Sequence, residues 1–120
     1  MKVLVTGGAG FIASHVTDHL LEAGHEVHVV DDLSTGFSDN LNQSAVFHEL
    51  DIRSPEASRL VEEGGFDVLC HHAAQMDVRR SVREPVFDAD VNIVGSIRLL
   101  EACRKGGVKR VVYASTGGAV

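Results

Sequence analysis

The 120-residue sequence has no tryptophan, a single tyrosine, two prolines and two cysteines. Cys70 and Cys103 stand in separate apolar stretches, and no CxxC motif occurs. This pattern argues against a disulfide framework and favours two buried thiols in a reducing compartment. We therefore expect a cytoplasmic protein.

Long apolar runs and long basic runs are also missing. No stretch approaches the roughly 20 apolar residues of a membrane helix, and the start does not resemble a signal peptide. The formal net charge of −6 argues against nucleic acid as the main partner. We expect no nucleic acid and no membrane partner. The length suits one domain over residues 1–120.

Short apolar runs alternate with helical patterns along the chain. Strands are predicted at 2–5, 26–32, 45–52, 67–74 and 108–115, and helices at 11–24, 54–64 and 85–107. Ser54 is the predicted cap of the second helix. The first and fifth strands are continuously apolar, which is typical of a parallel sheet covered on both faces. The predicted fold is a doubly wound α/β sheet of Rossmann type, in the order 3-2-1-4-5.

The third predicted helix is apolar on more than one side. Its apolar residues are Val91, Ile93, Val94, Ile97, Leu99, Leu100, Ala102 and Cys103. A surface helix shows one apolar stripe, so this helix is either deeply buried within one chain or carries a second interface. The second reading predicts a homo-oligomer.

A glycine pattern lies between the first predicted strand and the first predicted helix. Gly7, Gly10 and Ala13 form GxxGxxA. Glycine tolerates the positive φ of a tight turn, and Gly10 leaves room for a pyrophosphate beside the backbone. The free N–H groups and the dipole of a helix start favour a phosphate at this point. The pattern predicts a dinucleotide site.

Asp31 ends the second predicted strand, about 20 residues after the glycine pattern. A carboxylate there can accept hydrogen bonds from the ribose hydroxyls of an adenosine. Asp31 and Asp32 would repel a 2′-phosphate, so the predicted cofactor is NAD rather than NADP. A structural turn with an acidic strand end is the alternative.

With these segments the sequence resembles the extended short-chain dehydrogenase/reductases. Within them it is similar to the NAD-dependent epimerase/dehydratase family, especially the nucleotide-sugar 4-epimerases. The segments that carry the resemblance are VTGGAGFIASH, VVDDLSTG, LDIRS, HHAAQMDVRRSV, DVNIVGSIRLLEA and VKRVVYASTGGAV, in order along nearly the whole chain. The resemblance implies that, in the intact enzyme, a hydride is removed from C4 of the sugar and returned.

The resemblance also implies which residues bind the cofactor. They are Gly7, Gly10, Phe11, Ile12, Asp31, Asp32, Ser34, Thr35, Gly36, Asp51, Ile52, Ala73, Ala74, Gln75, Asn92 and Ser115. In the family, the residues matching Asp51 and Ile52 border the adenine, and the aspartate accepts from the exocyclic amine. The residues matching Ala73, Ala74 and Gln75 lie along the nicotinamide-side ribose and phosphates. The residue matching Asn92 reaches the strand-four loop and the cofactor, and the one matching Ser115 lies where the fifth strand meets the nicotinamide.

The family's catalytic Tyr-x-x-x-Lys pair does not occur in these 120 residues. In the family that tyrosine acts as acid and base on the sugar hydroxyl, and the lysine lowers its pKa. Tyr113 falls within the fifth predicted strand, where packing is the expected role. We expect the chain to be the N-terminal part of a longer enzyme and inactive alone. A nucleotide-sugar substrate is expected only in the intact enzyme. A non-catalytic NAD-binding or self-associating fragment is the alternative.

The family places a serine or threonine, which bonds the reacting hydroxyl, near the end of the fifth strand. This position falls on Thr116 when the alignment follows the fifth strand, and on Gly117 when it follows the last residues of the sequence. Thr116 is either that catalytic donor or a cap of the strand end.

His15 and His19 stand four apart but have no convergent third ligand beyond nearby Asp18. We expect no metal site.

Overall fold

A five-stranded parallel sheet forms the centre of the computed structural model. Its strands are β1 (Lys2–Thr6), β2 (Glu26–Asp31), β3 (Val46–Glu49), β4 (Val68–His71) and β5 (Arg110–Tyr113). They lie in the order β3-β2-β1-β4-β5, and each adjacent pair is parallel. The predicted Rossmann-type order is confirmed. The structure describes residues 1–7, 11–32, 42–72, 86 and 90–113.

The α-helices that the structure describes in full are α1 (Phe11–Glu22), α2 (Pro55–Glu63) and α3 (Gly95–Gly106). A π-helical turn, Asp90–Val94, precedes α3, so the described part of the third predicted helix is not α-helical throughout. Ser54 caps α2 as predicted, because its Oγ accepts from the amide of Ala57 at 3.2 Å. None of the described helices combines the length and the apolar character needed to cross a membrane.

The sheet buries an apolar layer on each face. The layer beneath α2 and α3 contains Leu4, Val30, Ile52, Val61, Phe66, Leu69, Leu99, Ala102 and Cys103. The opposite layer contains Val3, Val5, Ala13, Val27, Val29 and Cys70. Successive side chains of a strand point to opposite faces. Leu4 of β1 and Val30 of β2 therefore enter the first layer, whereas their valine neighbours enter the opposite one, as a sheet covered on both sides requires.

The fifth strand departs from this pattern. All four residues of β5 are exposed, including Val112 and Tyr113, although the sequence predicts a covered strand. Among the described strands, β5 lies at the edge of the sheet and pairs with β4 alone. The described helices pack over the central strands instead, so the apolar run of β5 lacks a cover among the described residues.

Both cysteines are free and buried, in agreement with the sequence analysis. They belong to opposite apolar layers, Cys70 to one and Cys103 to the other. Burial raises the pKa of the Cys103 thiol to about 11 and also raises that of Cys70. Neither thiol is therefore an activated nucleophile at neutral pH.

The cap of α2 gives a stability test. Replacing Ser54→Ala removes the acceptor of the Ala57 amide, and we expect the free energy of unfolding to fall by about 1 kcal/mol. Urea unfolding followed by circular dichroism measures the change. Ser58→Ala, the same substitution within α2, is the matched control and should change stability by less than about 0.5 kcal/mol. Equal losses in the two variants would contradict the capping role.

Candidate functional site

The carboxyl ends of β1 and β4 flank the point where the strand order reverses. The chain leaves β1 towards β2 on one side, whereas it leaves β4 towards β5 on the other. Ligands of open α/β sheets bind in the crevice at such a switch point. Helix α1 begins at Phe11, shortly after β1, so its N-terminus lies at this edge.

Gly7 makes the turn that follows β1. Its φ is +70°, a conformation that costs glycine little and other residues more. Its amide donates to the carbonyl of Val30 at 2.7 Å, which ties the turn to β2. The first glycine of the pattern thus has the positive φ that the predicted tight turn requires.

Asp31 and Asp51 lie at the same edge of the sheet. Asp31 ends β2 and is 9% exposed, and Asp32 beside it is exposed. The amide of Leu50 donates to the carbonyl of Asp31 at 3.2 Å, which places Asp51 next to the end of β2. Two residues predicted to bind the adenosine half therefore lie at one edge of the sheet, Asp31 at the end of β2 and Asp51 in the loop after β3.

Arg53 binds the carboxylate of Asp51. Its Nη2 lies 2.6 Å from Asp51 Oδ2, and its Nε lies 3.0 Å from Oδ1. This pairing lowers the pKa of Asp51 below its usual range. The other arm of the guanidinium reaches Asp90, with Nη1 at 2.8 Å from Oδ2. No sequence pattern predicts this bridge, because Asp90 lies 37 residues from Arg53.

Ile52 takes a different position from its neighbour Asp51. Its side chain is 5% exposed and belongs to the apolar layer beneath α2 and α3. A Cβ added to Gly95 would lie only 3.0 Å from Ile52 Cδ1, so the first residue of α3 packs directly on it. The Ile52 side chain therefore anchors the turn between β3 and α2 in the apolar core.

His71 connects three elements across the switch point. Its Nδ1 lies 2.7 Å from Thr6 Oγ1 at the end of β1, and its Nε2 lies 2.8 Å from Ser96 Oγ in α3. The backbone amide of His72 also donates to Thr6 Oγ1, at 3.0 Å. Thr6, His71 and Ser96 are 0%, 5% and 8% exposed. This buried relay joins β1, β4 and α3.

Burial lowers the pKa of His71 to about 4, with a smaller repulsive contribution from His72. The ring is therefore neutral near pH 7. A neutral imidazole donates through one nitrogen and accepts through the other, so it can bond both hydroxyl partners. The sequence signal for this relay is a polar residue that ends an apolar strand and needs a buried partner. The ring of exposed Tyr113 lies 5.3 Å from that of His71.

The remaining predicted site residues are described only in part. Ile12, the second residue of α1, is 67% exposed. Phe11 and Asn92 lie in helical backbone, but their side chains are outside the described set. Gly10, Ser34, Thr35, Gly36, Ala73, Ala74, Gln75, Ser115 and Thr116 also lie outside the described residues.

Comparison with known proteins identifies the family. The sequence profile of the NAD dependent epimerase/dehydratase family matches residues 3–120. The chain belongs to this family. A putative UDP-glucose 4-epimerase of Methanocaldococcus jannaschii is 45% identical over 98% of this chain and 39% of its own length. The UDP-glucose 4-epimerase of Mycolicibacterium smegmatis is 46% identical over 100% of this chain and 40% of its own.

Solved structures of family members have the same fold. The UDP-glucose 4-epimerase of Thermotoga maritima with UDP-glucose superposes with a TM-score of 0.94 at 51% identity, over 99% of this chain and 39% of its own. That of Thermus thermophilus in complex with NAD gives a TM-score of 0.91 at 47% identity, over 98% of this chain and 38% of its own. The chain therefore spans about two fifths of the length of these epimerases.

The residues at the carboxyl edge fit a dinucleotide in their chemistry. The turn at Gly7 precedes a helix N-terminus, which suits a pyrophosphate. The carboxylates of Asp31 and Asp51 are acceptors, which ribose hydroxyls and an exocyclic amine require. The exposed charge of Asp32 is unfavourable for a 2′-phosphate. The set agrees with the NAD dependence of the family.

The depressed pKa of His71 predicts a stability loss in acid. An ordinary histidine has a pKa near 6.5, so between about pH 6.5 and pH 4 the unfolded chain takes up a proton that folded His71 does not. The contribution of His71 to the free energy of unfolding should be complete above pH 6.5 and fall as the pH drops towards 4.

Urea unfolding between pH 7 and 4 measures this effect, and His71→Asn should have a shallower acid slope than the unchanged chain. His19→Asn, at a side chain that is 83% exposed, is the control and should leave the slope unchanged. Should His71→Asn fail to fold, NMR titration of the His71 ring in the unchanged chain decides the question. A midpoint near 6.5 rather than near 4 would contradict the prediction.

Proposed function

We propose that residues 1–120 are an NAD-binding Rossmann domain of a UDP-glucose 4-epimerase-type enzyme. The observation that carries the proposal is the meeting of Asp31, Asp51 and the Gly7 turn at one edge of the sheet. Family membership supports it, as do relatives that are UDP-glucose 4-epimerases, one of them solved with NAD. The nucleotide-sugar substrate belongs to the intact enzyme.

The adenosine half of the cofactor would lie across β1, β2 and the loop after β3. The Gly7 turn and the first N–H groups of α1 would hold the pyrophosphate, with Gly10, Phe11 and Ile12. Asp31 would accept from the ribose hydroxyls and Asp51 from the adenine amine. The remaining adenosine-side residues of the proposal are Asp32, Ser34, Thr35 and Gly36, with Ile52 contributing its backbone because its side chain lies in the core.

The nicotinamide half would lie beyond β4, towards β5. We assign it to Ala73, Ala74, Gln75, Asn92 and Ser115, and we assign the hydrogen bond to the reacting sugar hydroxyl to Thr116. NAD supplies the chemistry of taking a hydride from sugar C4 and returning it. The relay of Thr6, His71 and Ser96 would hold the strand ends around this region at a fixed spacing.

We also propose that the chain self-associates through α3. Ile97 and Leu100 of α3, and Ile93 of the π-helical turn before it, lie three and four residues apart and are 55%, 49% and 59% exposed. Such an apolar stripe on the outer side of a helix is unfavourable in water and marks an interface. A second copy of the chain is the proposed occupant, which makes the protein a homo-oligomer.

Isothermal titration calorimetry tests the cofactor. We expect the chain to bind NAD and to bind NADP more weakly. Asp31→Asn should raise the Kd for NAD at least tenfold, because hydrogen bonds to charged groups contribute about 1.5–3 kcal/mol. Glu63→Gln, at the end of α2, loses the same charge without facing the site and is the control. Absence of heat at millimolar NAD would refute cofactor binding.

Light scattering tests self-association. The unchanged chain should run as a dimer or larger assembly, whereas Ile97→Glu should run as a monomer because a charge would be buried in the interface. His19→Glu places the same charge on α1 and should leave the assembly intact. A monomeric unchanged chain at high micromolar concentration is the outcome that contradicts the interface.

A further inference from the structure

We propose that Arg53 is a positioning residue that sets the orientation of the Asp51 carboxylate and thereby makes the site selective for adenine. The ligand class is a dinucleotide whose base carries an exocyclic amine, as opposed to one with a carbonyl at that place. The inference rests on the proposed NAD binding and assigns a role to a residue outside the predicted site.

Three donors from Arg53 converge on one carboxylate. Its backbone amide lies 2.8 Å from Asp51 Oδ1, its Nε is shared between Oδ1 at 3.0 Å and Oδ2 at 3.1 Å, and its Nη2 lies 2.6 Å from Oδ2. The two guanidinium bonds form a bidentate pair that fixes the plane of the carboxylate. A carboxylate has about four acceptor positions. Three donors leave about one position for a further donor, in a defined direction.

Arg53 is itself anchored on its far side. Its Nη1 donates to Asp90 Oδ2 at 2.8 Å, and its carbonyl oxygen accepts from Arg98 Nη1 at 2.8 Å. Asp90 begins the π-helical turn and Arg98 lies in α3. The guanidinium therefore lies between two carboxylates that come from separate parts of the chain, and it cannot turn away from Asp51 without losing Asp90.

The backbone of Asp51 is held as firmly as its side chain. Its carbonyl oxygen accepts from the amide of Ser54 at 2.9 Å and from Ser54 Oγ at 2.6 Å. Ser54 in turn caps α2. With the backbone fixed by the cap and the side chain fixed by Arg53, the remaining acceptor position of Asp51 has little freedom. This is the preorganisation that a selective hydrogen bond requires.

The selectivity follows from the direction of the hydrogen bond. Adenine presents an N–H donor, which a fixed carboxylate acceptor satisfies. Hypoxanthine presents a carbonyl oxygen in the same place, so two acceptors would face each other. A site built to bond a particular donor rejects an analogue without it. A carboxylate that can rotate into water discriminates less between the two bases, because its acceptor oxygen no longer has one fixed direction.

The test compares NAD with nicotinamide hypoxanthine dinucleotide by titration calorimetry. We expect the unchanged chain to bind NAD at least about tenfold more tightly than the hypoxanthine analogue. In Arg53→Met the two affinities should differ by no more than about twofold, through weaker NAD binding. Arg53→Lys keeps the charge but not the planar fork, and it should lose discrimination too. Asp90→Asn should give an intermediate ratio.

Arg59→Met, at an exposed position of α2, removes an arginine elsewhere and should leave the ratio unchanged. A second readout needs no cofactor: NMR titration of the Asp51 carboxyl should show its pKa below the usual range in the unchanged chain. In Arg53→Met that pKa should rise. If Arg53→Met does not fold, Arg53→Lys and Asp90→Asn provide both readouts.

The possible failures are distinct. Full discrimination in a folded Arg53→Met or Arg53→Lys that still binds NAD would contradict the role of Arg53 and leave the proposed function standing. An Asp51 pKa that does not change in Arg53→Met would also contradict it. No NAD binding by the unchanged chain would contradict the proposed function itself, and the selectivity role with it.

Discussion

The rest of the structure depends on the burial of β1 from Val3 to Thr6. This strand pairs with β2 on one edge and with β4 on the other, and both of its faces are covered. Val3, Leu4 and Val5 are at most 2% exposed. Polar side chains are costly in such a place unless they are bonded, so they begin only where the strand ends, at Thr6. The same limit places Asp31 at the end of β2 and His71 at the end of β4.

Two hydrogen-bonded networks then hold these strand ends against the helix that covers them. One runs from Thr6 through His71 to Ser96, and the other from Asp51 through Arg53 to Asp90. Both reach α3 or the turn that leads into it. Helix α3 is thus the common support for the switch point and for the loop that carries Asp51.

Local pattern predicts much of this fold and less of the site. The strand order, the Ser54 cap and the turn at Gly7 follow from apolar runs and from single residues with strong conformational preferences. The relay of His71 joins residues 65 and 25 positions apart, and no short-range period encodes such contacts. The exposure of β5 depends on which elements lie above it. Ile52 adjoins Asp51 in the sequence, yet its side chain turns into the core, because the chain reverses there to begin α2.

The two faces of α3 serve different surroundings through adjacent residues. Ser96 points inward to His71, whereas Ile97 points outward and is 55% exposed. A rotation of the helix that moves one side chain must move the other. Helix α3 therefore connects a partner that packs on its outer face with a ligand that binds in the crevice. Such a shared element is the structural condition for a coupling free energy between two sites, and thermodynamic linkage would make that coupling equal in both directions.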